Sequence, residues 1–387
     1  MNAGLEVVVD GTIYQIQSHG GISRLFSEIL PRMCAMDDSL HITLLTDGKH
    51  RQSLPEHKRI IHRAILRAKR YLRPRRVWRP IIPSARRFVR GLCIGRGKGQ
   101  IWHSTYYTLP EPWDGLQVVT VVDMIHERFP DQINGPVNDQ FREQKRRCVQ
   151  QADAVICISE TTRHGVQHYY EVGPESIHVV PLACSDVFRR LEQAHNNSDR
   201  SSSEPFLLYV GSRCRYQDSY RTHYKNFSML VQGYTVWPCR EEVALVVVGR
   251  LWSATERRHL AELGIQNRVH LLTDVDDEEL CRLYDQADAF VYPSLYEGFG
   301  IPLLEAMACG CPVVASRIPS TIEVAGMCPV YFESAEVESL LAAFDMALSE
   351  GRDSERVRSG FERVKSYSWD KTAKQTLEVY YVLSGRA

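Results

Sequence analysis

The chain has 387 residues, 44% of them hydrophobic and 24% charged, which is typical of a globular protein and excludes a disordered or fibrous one. A chain of this length is too long for a single hydrophobic core, so we expect two domains of just under ~200 residues each. Lys plus Arg and Asp plus Glu balance at 47 each, but fifteen basic residues and no acid lie between Lys58 and Lys98, so the rest of the chain is net acidic.

Short β-branched runs recur along the chain and predict strands. In the first half these are Val7–Val9, Ile42–Leu45, Val118–Val122, Ala154–Ile158 and Ile177–Val180, and in the second half Phe206–Val210, Ala244–Val248, Val269–Leu272, Ala289–Tyr292 and Pro312–Ala315. Helix-length segments such as Ile22–Met33 and Asp277–Gln286 separate many of them. Apolar strands that alternate with helices predict an α/β protein with two doubly wound, Rossmann-like domains of parallel strands.

Cysteine spacing and the N-terminal sequence bear on the compartment. The eleven cysteines are scattered without zinc-ligand or redox-motif spacing, and most lie in apolar runs, as expected of a reduced cytosolic protein. The N-terminus continues directly into a strand-like run, so we expect no secretory signal. Because no apolar stretch approaches the ~20 residues of a spanning helix, we expect a cytoplasmic protein with peripheral contact to the inner face of the membrane.

The most informative segment is Tyr292–Gly310, where a Gly-flanked turn joins a predicted strand to a predicted helix. Backbone N–H groups at such a helix start, approached closely because Gly298 and Gly300 lack side chains, form a site for phosphate. Glu297 precedes the turn, and Glu305 lies about one turn inside the helix. Two carboxylates in that position can accept hydrogen bonds from hydroxyl groups of a sugar and of a ribose. The alternative, a helix-start acid plus a solvated glutamate, is disfavoured by the small, close-packing residues that follow.

This segment resembles the signature of the family 4 retaining glycosyltransferases, in which seven residues separate two glutamates. The resemblance extends over most of the chain and indicates a bacterial polysaccharide-type hexosyl- or mannosyltransferase of the GT-B fold. It implies two Rossmann-like domains that face each other across a cleft. It also implies that Glu297 contacts the donor sugar as a catalytic residue and that Glu305 holds the nucleotide ribose. The backbone that faces the donor diphosphate is then that of Gly298, Phe299, Gly300 and Ile301.

Domain boundaries follow from the resemblance together with composition. The polar stretch Arg190–Glu204 indicates a linker or an exposed loop. We predict an N-terminal acceptor-side domain over residues 1–188, a linker over 189–204 and a nucleotide-sugar-binding domain over 205–365. The remaining residues, 366–387, resemble the family's terminal helix, which returns to the N-terminal domain.

Two cations are expected to bind the donor phosphates. The run Phe206–Arg213 and the following Lys225-Asn226-Phe227 resemble the family's strand–Gly–Arg and Lys-Asn motifs. Arg213 and Lys225 would stabilise the negative charge that a departing nucleoside diphosphate gains in the transition state. The segment Cys214–Tyr224 is longer than the family norm, which affects the geometry between the two cations.

Candidate residues in the first domain follow the predicted strands Val7–Val9 and Val118–Val122. Gly20 and Gly21 resemble the family's Gly-Gly loop, whose backbone approaches the donor phosphates and the acceptor; a plain turn is the alternative. Asp123 matches the family's His-Asp pair, and the resemblance makes it a catalytic candidate, but Val122 occupies the position of that histidine. His126, three residues on, is either a catalytic residue that orients the donor sugar or acceptor hydroxyl, or a satisfied loop histidine.

No metal or cofactor is expected. Asp274 and Asp276 have the Asp-x-Asp pattern that holds a metal in another glycosyltransferase architecture, but here they precede a predicted helix and fit its N-terminal dipole. The family meets the nucleobase at the backbone around Val275, which we therefore assign to donor binding. The expected substrate is a nucleotide-diphosphate sugar such as GDP-mannose or UDP-glucose.

The predicted reaction is metal-independent transfer of a hexose, mannose or glucose, with retention, to a glycan or lipid-linked glycan. A sugar phosphorylase or nucleotide-sugar epimerase on the same fold is the enzymatic alternative. The non-enzymatic alternative is a basic membrane- or nucleic-acid-binding protein with a degenerate enzyme fold. Intact Glu297, Glu305, Arg213 and Lys225 argue against degeneracy.

The basic stretch Lys58–Lys98 interleaves arginine with Trp78, Phe88 and aliphatic residues. A solvated loop is one interpretation, and nucleic-acid binding is another, but no recognised nucleic-acid motif accompanies the run. We therefore expect an anionic membrane surface, and not nucleic acid, as its partner, with each nearby cation contributing on the order of ~1 kcal/mol.

Overall fold

The computed structural model of the protein describes residues 4–18, 20–46, 48, 50–64, 97–110, 112–191, 204–213 and 223–386. Most of the predicted linker and most of the basic stretch lie outside these residues. Two units are distinguished: the N-terminal unit comprises Met1–Glu127, Asn134–Leu182 and Ser368–Ala387, and the C-terminal unit comprises Arg128–Ile133 and Ala183–Tyr367.

The N-terminal unit contains a seven-stranded parallel sheet within the described residues, in the order β3-β2-β1-β4-β5-β6-β7. Its strands are β1 (Leu5–Asp10), β2 (Leu40–Thr46), β3 (Ile60–Ala64), β4 (Ile101–Ser104), β5 (Leu116–Val121), β6 (Ala154–Cys157) and β7 (Ile177–Val179). Its first helices are α1 (Thr12–Ile16), α2 (Gly21–Met36), α3 (Ile125–Arg128), α4 (Pro136–Gln150) and α5 (Glu160–Tyr170). Central strands such as β4 and β6 are buried at every residue, as expected of a parallel sheet covered on both faces.

The C-terminal unit contains a six-stranded parallel sheet in the order β10-β9-β8-β11-β12-β13 among the residues described. Its strands are β8 (Phe206–Val210), β9 (Ala244–Val248), β10 (Val269–Leu272), β11 (Ala289–Tyr292), β12 (Val313–Ser316) and β13 (Val330–Phe332). Its helices are α6 (Phe227–Val236), α7 (Ala254–Glu262), α8 (Asp277–Gln286), α9 (Ile301–Ala308), α10 (Pro319–Ala325), α11 (Val337–Glu350) and α12 (Glu355–Val364). The strand order reverses between β8 and β11, which is where doubly wound sheets bind ligands.

The last helix, α13 (Trp369–Ser384), belongs to the N-terminal unit and packs against α2. Ser368 caps its N-terminus by accepting a hydrogen bond from the Lys371 N–H at 3.2 Å. Polar contacts join it to α2: Arg32 donates to Asp370 at 3.0 Å, and the Tyr381 hydroxyl donates to Asp37 at 2.9 Å. These contacts attach the C-terminal end of the chain to its first helices.

The predicted α/β class with two Rossmann-like parallel sheets is confirmed, and every strand that the β-branched runs predict is present within a residue or two. Three strands were not predicted: β3, β4 and β13. A short helix, α1, also lies between β1 and the Gly20–Gly21 loop. Across the described ranges, no helix has the length and apolar character that spanning a bilayer requires.

Candidate functional site

A glycine-rich turn connects β11 to α9 at the carboxyl edge of the C-terminal sheet. Gly300 caps α9 with φ at 115°, a conformation that L side chains rarely adopt, so glycine is needed there. The Phe299 side chain, 4% exposed, packs edge-on against the Tyr367 ring with 5.7 Å between centroids. The first turn of α9 contains no acid, which leaves the positive end of its dipole without a charged neighbour from that turn.

Glu297 precedes this turn and forms an ion pair with Lys225. The Lys225 Nζ lies 2.6 Å from the Glu297 Oε1, and the two side chains are 16% and 10% exposed. The same Nζ lies 5.6 Å from the ring centroids of Tyr224 and Tyr292. Burial, and then the adjacent Glu297 carboxylate, raise the pKa of Tyr292 well above its usual range. Aromatic walls thus exclude water from part of a cation–carboxylate pair.

Glu305 lies inside α9 and is only 6% exposed. The hydroxyl of Tyr284, from α8, donates a hydrogen bond to the Glu305 Oε2 at 3.2 Å. Burial, and then the Glu305 carboxylate, raise the pKa of Tyr284 well above its usual range, so the phenol stays a donor. One carboxylate oxygen is therefore oriented by α8, and the geometry suits a carboxylate that accepts hydrogen bonds from hydroxyl groups.

Arg213 follows β8 and is 4% exposed. Its Nε donates to the Glu256 Oε1 at 2.9 Å, and its Nη2 donates to the backbone oxygen of Arg250. Its guanidinium carbon lies 4.1 Å from the Trp252 ring centroid and 5.9 Å from that of Phe227. Arg213 is therefore a fixed, charge-compensated group at the carboxyl ends of β8 and β9.

The structure brings several predicted residues together and adds others. Lys225 and Glu297 are in direct contact, and Phe227, which Arg213 overlies, starts the helix that follows Lys225. Three partners, Glu256, Trp252 and Tyr284, were not predicted from the sequence. Only Glu256 had a detectable signal, because Ser253 and Glu256 have the spacing of a capping box.

The Asp-x-Asp segment is a helix start, as its charge pattern predicted. Asp276 caps α8, its Oδ1 accepting from the Glu279 N–H at 2.8 Å, while Asp274 is exposed with φ at 57°. Val275 between them is half-buried, and its assignment to the nucleobase stays a prediction. Within the described part of the chain, no group of three or more His, Cys, Asp or Glu side chains is arranged to hold a metal ion.

In the N-terminal unit, Gly20 and Gly21 are exposed at the start of α2. The Ser23 N–H of the first turn donates to the Gln17 Oε1 at 3.3 Å, and the Ser23 hydroxyl donates to the Gly20 oxygen at 3.0 Å. A Cβ added at Gly20 would lie 2.5 Å from that same Gln17 oxygen. The loop therefore has an amide oxygen at a helix N-terminus, where an anionic oxygen is also stable.

Asp123 and His126 lie at the carboxyl end of β5. The Asp123 Oδ1 accepts a hydrogen bond from the Ile125 N–H at 3.0 Å, and the His126 ring packs against Phe141 with 4.5 Å between centroids. The buried Lys145 Nζ donates to the Asp123 backbone oxygen at 2.7 Å and to Glu127 at 2.8 Å. The Asp123 carboxylate thus orients α3, and the catalytic assignment of both residues stays a prediction.

Two family models match the chain. The model described as Glycosyltransferase Family 4 matches residues 19–184, and the model described as Glycosyl transferases group 1 matches residues 192–361. Together they span most of the sequence.

Relatives and solved structures agree with these matches. The MMP alpha-(1->4)-mannosyltransferase of Mycolicibacterium hassiacum is 30% identical over 62% of this chain, and the O-antigen chain mannosyltransferase B of Escherichia coli is 30% identical over 60%. The alignments cover 56% and 61% of the lengths of those proteins. The sucrose-phosphate synthase structure from Thermosynechococcus elongatus superposes over 99% of this chain and 100% of its own, with a TM-score of 0.76 at 19% identity.

Proposed function

This chain belongs to the family 4 glycosyltransferases of the GT-B fold, and we propose that it transfers a hexose from a nucleotide-diphosphate sugar to a glycan or lipid-linked glycan acceptor. The observation that best supports this function is the Lys225–Glu297 pair beside the Gly298–Ile301 turn. It combines a cation for a phosphate, a carboxylate for sugar hydroxyls and backbone N–H groups at a helix start. Both relatives described above are named mannosyltransferases, so mannose is the proposed hexose, with glucose as the alternative.

We propose that each group has one task. Lys225 and Arg213 stabilise the diphosphate as it gains negative charge, and Glu297 accepts hydrogen bonds from the hexose. Glu305 accepts a hydrogen bond from the ribose. A cation and N–H donors fixed before the reaction favour the departing diphosphate over the bound substrate, which is what accelerates the reaction.

The proposed bond changes retain the anomeric configuration. The bond between the anomeric carbon and the diphosphate oxygen breaks while the acceptor oxygen attacks on the same face. The acceptor proton passes to an oxygen of the departing diphosphate, so no enzymic base is needed. An α-nucleotide sugar would then give an α-linked product.

We further propose that the reaction needs no divalent metal. Lys225 and Arg213 provide the positive charge that a metal ion would otherwise provide. Asp276, which could otherwise bind a metal, caps α8. Peripheral binding to anionic lipid through the Lys58–Lys98 stretch is also proposed, since it would bring a lipid-linked acceptor to the enzyme.

A donor panel tests the function. Thermal shifts would be measured with UDP, GDP, ADP and dTDP sugars, followed by transfer of a labelled hexose from each stabilising donor to a lipid-linked glycan. One class of nucleotide sugar should raise the Tm and support transfer by the wild type. The Glu297→Gln variant keeps an oxygen acceptor but loses the charge, and it should bind the donor and transfer little. Stabilisation by none of the donors would contradict the proposal.

A further inference from the structure

We infer that Glu256 is a positioning residue, which holds Arg213 so that one guanidinium nitrogen is available to a donor phosphate oxygen. The inference rests on the proposed function, because it concerns the same donor site. Glu256 and Arg213 are both buried, at 3% and 4% exposure, and their side chains meet at 2.9 Å.

Glu256 is itself fixed by the start of α7. Its Oε2 accepts from the Ser253 N–H at 2.8 Å, and the Ser253 hydroxyl accepts from the Glu256 N–H at 3.1 Å. This capping box leaves the Oε1 to face Arg213. One carboxylate therefore joins a rigid helix N-terminus to an arginine that follows a different strand.

Two of the three guanidinium nitrogens of Arg213 form hydrogen bonds within the protein. Glu256 engages the Nε, the Arg250 backbone oxygen engages the Nη2, and the Trp252 ring covers the guanidinium plane. The Nη1 is buried and has no hydrogen-bond partner among the residues that the structure describes. Because buried N–H groups are nearly always paired in native proteins, this atom indicates an acceptor that the described residues do not supply.

Gly249 is shaped around the same atom. A Cβ at position 249 would lie 2.8 Å from the Arg213 Nη1 and 2.7 Å from the Gly211 oxygen. The absence of a side chain at Gly249 therefore lets the guanidinium occupy its position at the end of β9. The acceptor implied by the free nitrogen is a phosphate oxygen, because arginine N–H groups bind phosphate with good geometry.

A purely electrostatic role and a positioning role of Glu256 predict opposite changes in diphosphate affinity when Glu256 is replaced. Glu256 neutralises Arg213, so its removal adds one net positive charge and should tighten the binding of an anion if charge alone mattered. A positioning role predicts weaker binding, because the guanidinium would lose its orientation. The sign of the change in affinity therefore separates the two roles.

The test is calorimetric titration of wild-type protein and the Glu256→Gln variant with GDP and UDP, and with guanosine and uridine as phosphate-free probes. For the diphosphate that the wild type binds, Glu256→Gln should weaken affinity about tenfold and leave the nucleoside affinity unchanged. Glu256→Asp should recover part of the loss. Equal or tighter diphosphate binding by Glu256→Gln would overturn the positioning role.

Two further variants separate positioning from stability. Ser253→Ala removes the cap hydroxyl but leaves the ion pair, so it should lower the Tm while changing diphosphate affinity less than about twofold. If Glu256→Gln fails to fold, Arg213→Gln is compared with the double variant Arg213→Gln/Glu256→Gln. The double variant contains neither buried charge, so no charge is left unpaired. Equal diphosphate affinities of these two variants support action through Arg213, and a further loss of affinity in the double variant contradicts it.

The outcome also distinguishes this inference from the proposed function. A wild type that binds none of GDP, UDP, ADP and dTDP overturns both. A wild type that binds a diphosphate, with affinity unaffected by Glu256→Gln, overturns only the role of Glu256.

Discussion

Lys225 and Glu297 illustrate how two candidate residues with separate expected roles depend on each other. The sequence predicts that Lys225 binds phosphate and that Glu297 binds the sugar, whereas the structure pairs the two side chains at 2.6 Å beside the Tyr292 ring. Removing either one leaves the other as a partly buried charge without its partner. Loss of activity in a single variant therefore contains a stability contribution that must be separated.

We predict that Lys225→Met lowers the free energy of unfolding by about 1–3 kcal/mol, because Glu297 loses its counterion. The double variant Lys225→Met/Glu297→Gln should regain part of that stability, since no buried charge remains, yet stay inactive. Urea denaturation of the three proteins measures the effect. Equal destabilisation by the single and double variants would contradict the ion pair's contribution.

Glu305→Ala is predicted to weaken nucleoside diphosphate binding by roughly 1.5–3 kcal/mol, the usual range for a hydrogen bond to a charged acceptor. The control is Tyr284→Phe, which removes the hydroxyl that donates to Glu305 but keeps the carboxylate. It should lose less affinity. Calorimetry decides the point, and unchanged affinity in Glu305→Ala would refute the ribose assignment.

The sequence predicts a site residue best when the residues that act with it lie close along the chain. Glu297 and Glu305 were identified because a short turn and helix fix their separation. Glu256 was not, since its partner Arg213 is 43 residues away and meets it only when β8 and β9 pair. Tyr284 was missed for the same reason, because α8 and α9 are brought together by packing.

Among the elements, α13 and β4 share a buried polar contact that links the end of the chain to the first sheet. The His103 Nδ1 lies 2.5 Å from the Tyr380 hydroxyl, and its Nε2 lies 2.8 Å from the Thr120 hydroxyl. Burial lowers the pKa of His103 to about 3. The ring is therefore neutral in the folded protein at any physiological pH.

This lowered pKa predicts a pH dependence of stability. The unfolded chain binds a proton at His103 below its ordinary pKa of about 6.5, and the folded chain does not until about pH 3. The contribution of His103 to the free energy of unfolding is fully present above pH 6.5 and decreases as the pH falls toward 3. At pH 5 it is about 2 kcal/mol smaller than at pH 7.5. The wild type should therefore lose about that much more than His103→Phe between pH 7.5 and 5.0 in urea denaturation. Parallel losses in both proteins would disprove the prediction.

Element prediction succeeded where apolar runs were long and failed where position in the sheet decided the outcome. β3 lies at a sheet edge with one buried residue out of five, so its sequence, Ile60–Ala64, was assigned to the basic stretch. Arg59 beside it forms an ion pair with Asp38 at 2.6 Å, a contact that a local reading of charge does not anticipate. β4 (Ile101–Ser104) and β13 (Val330–Phe332) each contain a single β-branched residue, so neither has the β-branched run on which the predicted strands were based.

For the whole molecule, the asymmetry of charge predicts binding to anionic vesicles that weakens with salt, because exposed charges are screened beyond ~8–10 Å at physiological ionic strength. Replacing Arg73, Arg75, Arg76 and Arg79 by Ser should lower vesicle co-sedimentation and transfer to a lipid-linked acceptor. Nucleotide affinity should stay unchanged, because the assigned donor residues lie mainly in the C-terminal unit. Equal, negligible binding by both proteins would leave the stretch a solvated loop, and tight binding to RNA would favour the nucleic-acid alternative.

Retaining, metal-independent hexosyl transfer can be tested by proton NMR of the reaction with the α-nucleotide sugar that the donor panel selects. The reaction would be started in excess chelator, and the anomeric signal of the newly formed glycosidic linkage would be recorded. We expect an α-linked product, formed at the same rate with and without chelator. A β-linked product would contradict the proposed geometry, and a loss of rate restored by manganese or magnesium would contradict the role given to Lys225 and Arg213.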